Sequence, residues 1–209
     1  MGEALRGQAL ADRDDSRELA VFVCERAGLT GAVDRRQTWR VGEHELLVAL
    51  KLDERYRYYL RVLSGWPNVP ARRGLKLGHV FAIAVTGDLR ELKGPERARW
   101  KLRALVEAGL VELPAVSLRA LPERAPDAAR RTWDAVRHLA AIRAITDGTG
   151  PLPLSAPWLA KWSGLDESVL RSGKRWLENE GYLRRAGEVA RKPKPLILWS
   201  LALVEDVEP

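Results

Sequence analysis

Ser155 to Leu201 is the stretch that most constrains how this chain can fold. It reads SAPWLAKWSGLDESVLRSGKRWLENEGYLRRAGEVARKPKPLILWSL. Two short blocks with helical spacing, Ala156 to Trp162 and Asp166 to Asn179, are separated by the turn Ser163-Gly164-Leu165. Tyr182 to Ala186 and Leu196 to Leu201 then read as two strands, with Gly187 to Pro195 as the tip between them.

Two helices, a tight turn and a hairpin, in that order, make a winged helix-turn-helix. Such a module commonly lays its second helix in the major groove of duplex DNA. In that helix, Val169, Leu170, Gly173 and Leu177 share one face at about 100° per residue. Ser168, Arg171, Ser172, Arg175 and Asn179 share the opposite one. The first set packs inward, and Gly173 admits a close neighbour. The second set carries groove-reading chemistry. Arginine can bond a guanine edge at two points, asparagine an adenine edge, and serine either. Asp166 is placed to cap the helix, where an acidic oxygen accepts orphan N–H groups and faces the positive end of the dipole.

The hairpin adds charge. Arg184, Arg185, Arg191, Lys192 and Lys194 are opposed by Glu188 alone, five cations less one anion, for a local charge of +4. Pro193 and Pro195 stiffen the tip, which limits the entropy lost on docking. If about four of these cations meet phosphates, log K falls with log salt at a slope of about −3.6. The whole chain carries 35 Lys+Arg against 28 Asp+Glu in 209 residues, a basic balance that suits a polyanionic partner.

Elsewhere the pattern is mostly helical. Residues 1–14 are a polar tail, and Ser16 caps a helix to Ala27 that Gly28 ends. Thr30 to Gly42 is a polar connection. Glu43 to Gly65 has helical period, as two helices broken near Asp53. Within it, Arg55-Tyr56-Arg57-Tyr58-Tyr59 interleaves cations and aromatics, a composition that can stack single-stranded bases. At helical spacing the simpler assignment is a core stripe of Tyr56, Tyr59, Leu60 and Leu63, with Arg57 and Arg61 outside. Helices are predicted at Leu77 to Val85, Gly87 to Lys93 and Glu96 to Ala108, the last with Pro95 at its first position and Gly109 as its stop. A strand follows at Leu110 to Leu118. Residues 120–129 read as a linker, Arg130 to Thr146 as a helix, and residues 205–209 as an acidic tail.

ERARWKLRALVEAGLVEL can be laid over SVLRSGKRWLENEGYLRR, so that Gly109 meets Gly181, Arg99 meets Arg171 and Arg103 meets Arg175. Each copy is a helix, a glycine stop and a strand. The expected fold is therefore mainly α with small β-hairpin wings, in tandem winged helix-turn-helix units over residues 15–119 and 130–204. Arg99 and Arg103 mark a second candidate DNA face. Glu96 and Glu107 weaken it, which favours a packing or homodimer role.

Catalytic and metal signatures are missing from the sequence. His44, His79 and His138 lack metal spacing, and neither a phosphate-cradling glycine loop nor G-x-S-x-G nor H-E-x-x-H occurs. Cys24, the single cysteine, reads as a small core residue, and the eight tryptophans mostly as core. No apolar run approaches the ~18 residues that span a bilayer. A cytoplasmic protein with no enzymatic activity, cofactor or membrane partner is expected.

The run PLPLSAPWLAKWSGLDESVLRSGKRWLENEGYLRRAGE resembles the C-terminal winged helix of phage- and plasmid-type replication proteins of the primase-polymerase kind. The shared features are a proline-rich lead, a serine capping the first helix, a W-x-G-L turn, an R-W-L recognition helix and an E-G-Y-L-R approach to the wing. The resemblance implies attachment to double-stranded DNA in replication initiation, with other replication proteins as partners; no catalytic domain of those proteins is recognisable in the chain. A transcriptional regulator with the same DNA-binding mode and a winged-helix adaptor for another protein are the alternatives.

Overall fold

The computed structural model describes residues 16–55, 57–67, 73–92, 94–146, 150–190 and 195–203. The expected tails, and the wing-tip cations Arg191, Lys192 and Lys194, lie outside them. Contacts divide the chain into two units, Met1–Leu113 and Pro114–Pro209. The expected linker at 120–129 falls within the second unit.

The first unit overturns the expectation of a mainly α, tandem winged chain. Helix α1 (Arg17–Arg26) is capped by Ser16, whose hydroxyl oxygen accepts from Leu19 N at 3.3 Å. A four-stranded antiparallel meander follows: β1 (Arg36–Val41), β2 (His44–Leu52), β3 (Tyr58–Ser64) and β4 (Arg73–Lys76), paired in chain order. The region expected to be helical, Glu43 to Gly65, thus forms two strands, and the expected polar connection contains β1. Burial shows why. Leu46, Val48 and Leu50 of β2 and Leu60 and Val62 of β3 are buried at every second position, the period of a pleated strand. The expected stripe of Tyr59, Leu60 and Leu63 is split between two faces, and Tyr56 lies outside the described residues.

Helices α2 (Leu77–Thr86) and α3 (Gly94–Glu107) complete the unit. Phe81 of α2 joins the helices, with its ring 6.1 Å from both Phe22 and Trp100. Helices α1 and α2 pack on β3, on the side where Leu60, Val62 and Leu75 are buried. The predicted helix at Gly87 to Lys93 is not present among its described residues, 87–92. After α3 no strand forms at 110–117, and Leu118 makes only an isolated bridge to Leu203. The helix-and-glycine half of the repeat does appear, since Gly109 and Gly181 take φ of 71° and 75° behind their helices. The strand that should follow the glycine is missing from the first copy.

The second unit runs α4 (Asp127–Thr146), β5 (Leu152–Pro153), α5 (Ala156–Ser163), α6 (Glu167–Asn179), β6 (Leu183–Val189) and β7 (Leu196–Leu201). Its sheet is antiparallel in the order β5-β7-β6. Trp133, Val136, Leu139 and Ile142 of α4 meet Leu170, Gly173 and Leu177 of α6 in the core. Among the described residues no helix is long and apolar enough to cross a membrane.

Candidate functional site

The helix pair α5–α6 is punctuated by local chemistry. Ser163 Oγ donates to the Leu159 carbonyl at 2.7 Å and accepts from Leu165 N at 3.2 Å, which ends α5. Gly164 follows at φ 73°, a left-handed conformation costly for residues with a Cβ. Asp166 then caps α6, its carboxylate accepting from Ser168 N at 2.7 Å. The Ser168 hydroxyl and backbone N–H, in that order, hold the Asp166 carboxyl below the usual aspartate range.

With α6 anchored by Leu170, Gly173 and Leu177, all five predicted groove-reading residues are exposed: Ser168, Arg171, Ser172, Arg175 and Asn179. Their surroundings differ. Arg171 is ion-paired to Glu167 one turn earlier on the same helix. Arg175 has no carboxylate partner among the described residues. Ser168 is engaged with the cap. The N-terminal end of α6 carries two acids, Asp166 and Glu167, and the cationic character lies further along the helix.

The two described arginines of the hairpin do not lie on one side. Arg184 pairs across the ladder with Ser200, and Arg185 with Trp199. Successive strand residues point to opposite faces, so these two arginines diverge. Arg185 shares the face of Trp199 and is ion-paired with Glu188. Arg184 has no carboxylate partner among the described residues.

Lys174, which the sequence pattern did not single out, ties helix to sheet. Its ammonium lies 4.0 Å from the centre of the Trp199 ring and 3.7 Å from Glu178. Burial pushes its pKa below the usual lysine range, with Glu178 acting in the opposite sense. Only the ring at position 199, remote in sequence, distinguishes this lysine from its exposed neighbours.

Arg99 and Arg103, the second candidate face, lie in partly buried surroundings. Trp100 is only 2% exposed and packs on Phe81. The Arg103 side chain is 11% exposed, lies 5.4 Å from the Trp100 ring centre and bonds Glu107 at 2.6 Å. Arg99 is half-buried beside them. The Arg103 guanidinium also lies 5.9 Å from the Phe81 ring centre, which makes it part of the contact between α2 and α3.

Among the described residues no group of three or more His, Cys, Asp or Glu is placed to hold a metal ion. His79 is buried with Nε2 3.0 Å from the Arg90 carbonyl, and the His138 ring lies 5.9 Å from that of Trp162. Cys24 is buried, and its thiol is pushed up to about 11 by burial, with Glu25 adding to the effect. That keeps it a thiol at neutral pH, far from a reactive thiolate.

Compared with protein-family models, curated proteins and solved structures, the chain matches none.

Proposed function

We propose that the C-terminal unit binds double-stranded DNA, with α6 in the major groove and the β6–β7 hairpin against the phosphate backbone. The observation that carries this reading is the shared exposure of Ser168, Arg171, Ser172, Arg175 and Asn179 on a helix that follows a three-residue turn. Donors of this kind on an exposed helix suit groove edges. Arg184, which has no carboxylate partner among the described residues, adds a cation on the strand, and the sequence adds Arg191, Lys192 and Lys194. The resemblance of Pro151 to Glu188 to winged helices of phage- and plasmid-type replication proteins points to replication initiation in the cytoplasm, beside other replication proteins; control of transcription uses the same contacts.

Fluorescence anisotropy with a random duplex at low salt tests the binding. A dissociation constant in the micromolar range or tighter, rising steeply with salt, supports it. No binding at micromolar protein overturns it. Maintenance of a plasmid by the chain, compared with repression of a reporter, separates replication from transcription.

A protein-binding adaptor is the second reading. The acids Asp166 and Glu167 at the leading end of α6, where a phosphate would otherwise meet the positive helix dipole, favour it. Failure to bind any duplex, together with a folded chain, selects it.

A further inference from the structure

The four-stranded sheet of the first unit has a second face that the duplex-binding reading leaves unused. Cross-strand pairing places its side chains in rows. Arg36, Ala49, Arg61 and Gly74 form one row, and Lys51, Tyr59 and Lys76 the next. Thr38 with Leu47, and Arg40 with Glu45, extend the face toward the β1–β2 turn. These positions alternate with the buried Trp39, Val41, Leu46, Val48, Leu50, Leu60, Val62 and Leu75, so they point away from the core. Arg36, Thr38, Arg40 and Lys76 are exposed, and Lys51, Tyr59 and Arg61 are half-exposed.

Three properties coincide there. The first is charge. Arg36, Arg40, Lys51, Arg61 and Lys76 are opposed by Glu45 and Asp34, five cations less two anions, for +3. Glu45 bonds Arg40 at 2.9 Å, and Asp34 is ion-paired with Lys51. Arg36, Arg61 and Lys76 have no carboxylate partner among the described residues. The second is shape. Arg36, Lys51 and Arg61 ring a depression of about 380 Å³ floored by Ala49, with Asp34 and Leu63 at its margin. The third is an aromatic ring within the charge. Tyr59 lies between Lys51 and Lys76, and its ring runs alongside Gly74, so that a Cβ there would come within 3.2 Å of it.

We propose that this sheet face is a platform for single-stranded DNA, on which Tyr59 stacks a base while Arg36, Lys51 and Arg61 receive the adjoining backbone phosphates. A duplex hides its base faces within the stack, whereas a single strand offers them to an aromatic ring set in a cationic surface. A protein partner fits less well, because the half-buried Leu47 and Leu63 give the face little apolar area. RNA is disfavoured because the short hydroxyl side chains that pairing puts in these rows, Thr38 and Ser64, both fall in the row of Leu47, beyond the Arg61 row from Tyr59, and recognition of RNA draws on its 2′-hydroxyls. The inference stands apart from the duplex reading, since it uses other residues in the other unit.

The test is anisotropy of the full chain with a fluorescent oligothymidylate of about twelve nucleotides, a length within one typical single-strand site. Tyr59→Leu keeps apolar cover beside Gly74 and removes the stacking ring. It weakens oligothymidylate binding about fivefold or more, as the loss of one base–aromatic stack requires, and changes duplex affinity less than about twofold. Unchanged oligothymidylate binding, or an equal loss on both ligands, overturns the proposal. In the Arg36→Gln, Arg61→Gln double variant the salt slope on oligothymidylate becomes shallower by about 1.4, from about 0.7 per phosphate on a single strand. An unchanged slope overturns it, and tighter binding of oligouridylate than of oligothymidylate overturns the assignment to DNA. Ultraviolet crosslinking of a bromodeoxyuridine oligomer to the unmodified chain needs no variant to fold. Adducts mapped by mass spectrometry to residues 58–63 support the platform, and adducts found only elsewhere overturn it.

Discussion

Gly173 of α6 rests directly against Thr132 of α4. A Cβ built on Gly173 would overlap both the Thr132 hydroxyl oxygen and the Ala128 carbonyl. Two helix backbones therefore meet where a single methyl group does not fit. Because a backbone carbonyl is one of the obstacles, the clash is relieved only by moving a helix.

Gly173→Ala is expected to destabilise the second unit. An alanine gains about 1 kcal/mol in helix propensity, and overpacking costs about 1–3 kcal/mol. With backbone on the other side, overpacking wins. Urea unfolding should show a lower midpoint at an unchanged slope. Thr132→Ala in the same chain restores only part of the stability, because the Ala128 carbonyl remains.

Tyr182 is the hub of the same core. Its hydroxyl donates to the Ala120 carbonyl at 3.0 Å, 62 residues earlier, and its ring lies 5.5 Å from that of Trp133 and 6.0 Å from that of Trp176. Tyr182→Phe keeps the ring and removes the bond, at an expected cost of about 1 kcal/mol by chemical denaturation. Tyr182→Ala also removes the packing and is expected to cost about 3–5 kcal/mol.

On the exposed side of α6, the two central arginines are expected to differ. Arg175 has no carboxylate partner among the described residues, whereas Arg171 is held by Glu167. Arg175→Ala should weaken duplex binding by about 1–3 kcal/mol if it reads a base, with a smaller effect on random sequence. Glu167→Gln frees Arg171 and removes a negative charge, so it should tighten binding. Anisotropy at matched salt measures both.

The cap on α6 makes its stability depend on pH. The Asp166 carboxyl is held below its ordinary value of 3.8 in the folded chain. A depressed folded pKa contributes stability above the unfolded value, and that contribution fades as pH falls through the folded one. Helical circular dichroism followed from pH 5 downward should therefore fall less steeply in Asp166→Asn, which keeps a capping oxygen without the charge.

Neutralising Arg191, Lys192 and Lys194 together should make the duplex salt slope shallower by up to about 2.7, from about 0.9 for each phosphate left without its cation. A slope measured between low and physiological salt checks this directly.

The second unit was legible because its signals are local. Gly164, Asp166 and Gly181 punctuate its helices, and Leu170, Gly173 and Leu177 mark one face, so each boundary can be read within a few residues. The first unit hides its sheet in leucine. In HELLVALKL the pair Leu46 and Leu50 satisfies a helix, while Leu46, Val48 and Leu50 satisfy a strand, and Leu47 blurs the alternation. What decides between them is pairing with β1 and β3, a non-local interaction that a window on one segment does not contain. The same misreading hid the cationic sheet face. Arg36, Lys51, Arg61 and Lys76 become neighbours only when the strands lie side by side. On α6 the exposed set was readable from helical period, but the Glu167 pairing and the Trp199 contact of Lys174 needed side chains in place.

The three-stranded sheet ends on one side in β5, two residues long and half proline, and on the other in β6, which carries Arg184, Arg185 and Glu188. A short strand with proline and a charged strand are both poor templates for another chain. The arginines assigned to phosphate thus also guard the protein against self-association through an open edge. Chains in which Arg184 and Arg185 are replaced by alanine are therefore expected to scatter light at concentrations where the parent stays clear. A weakened signal on DNA from such chains has to be separated from depletion of monomer before it is ascribed to the phosphate interface.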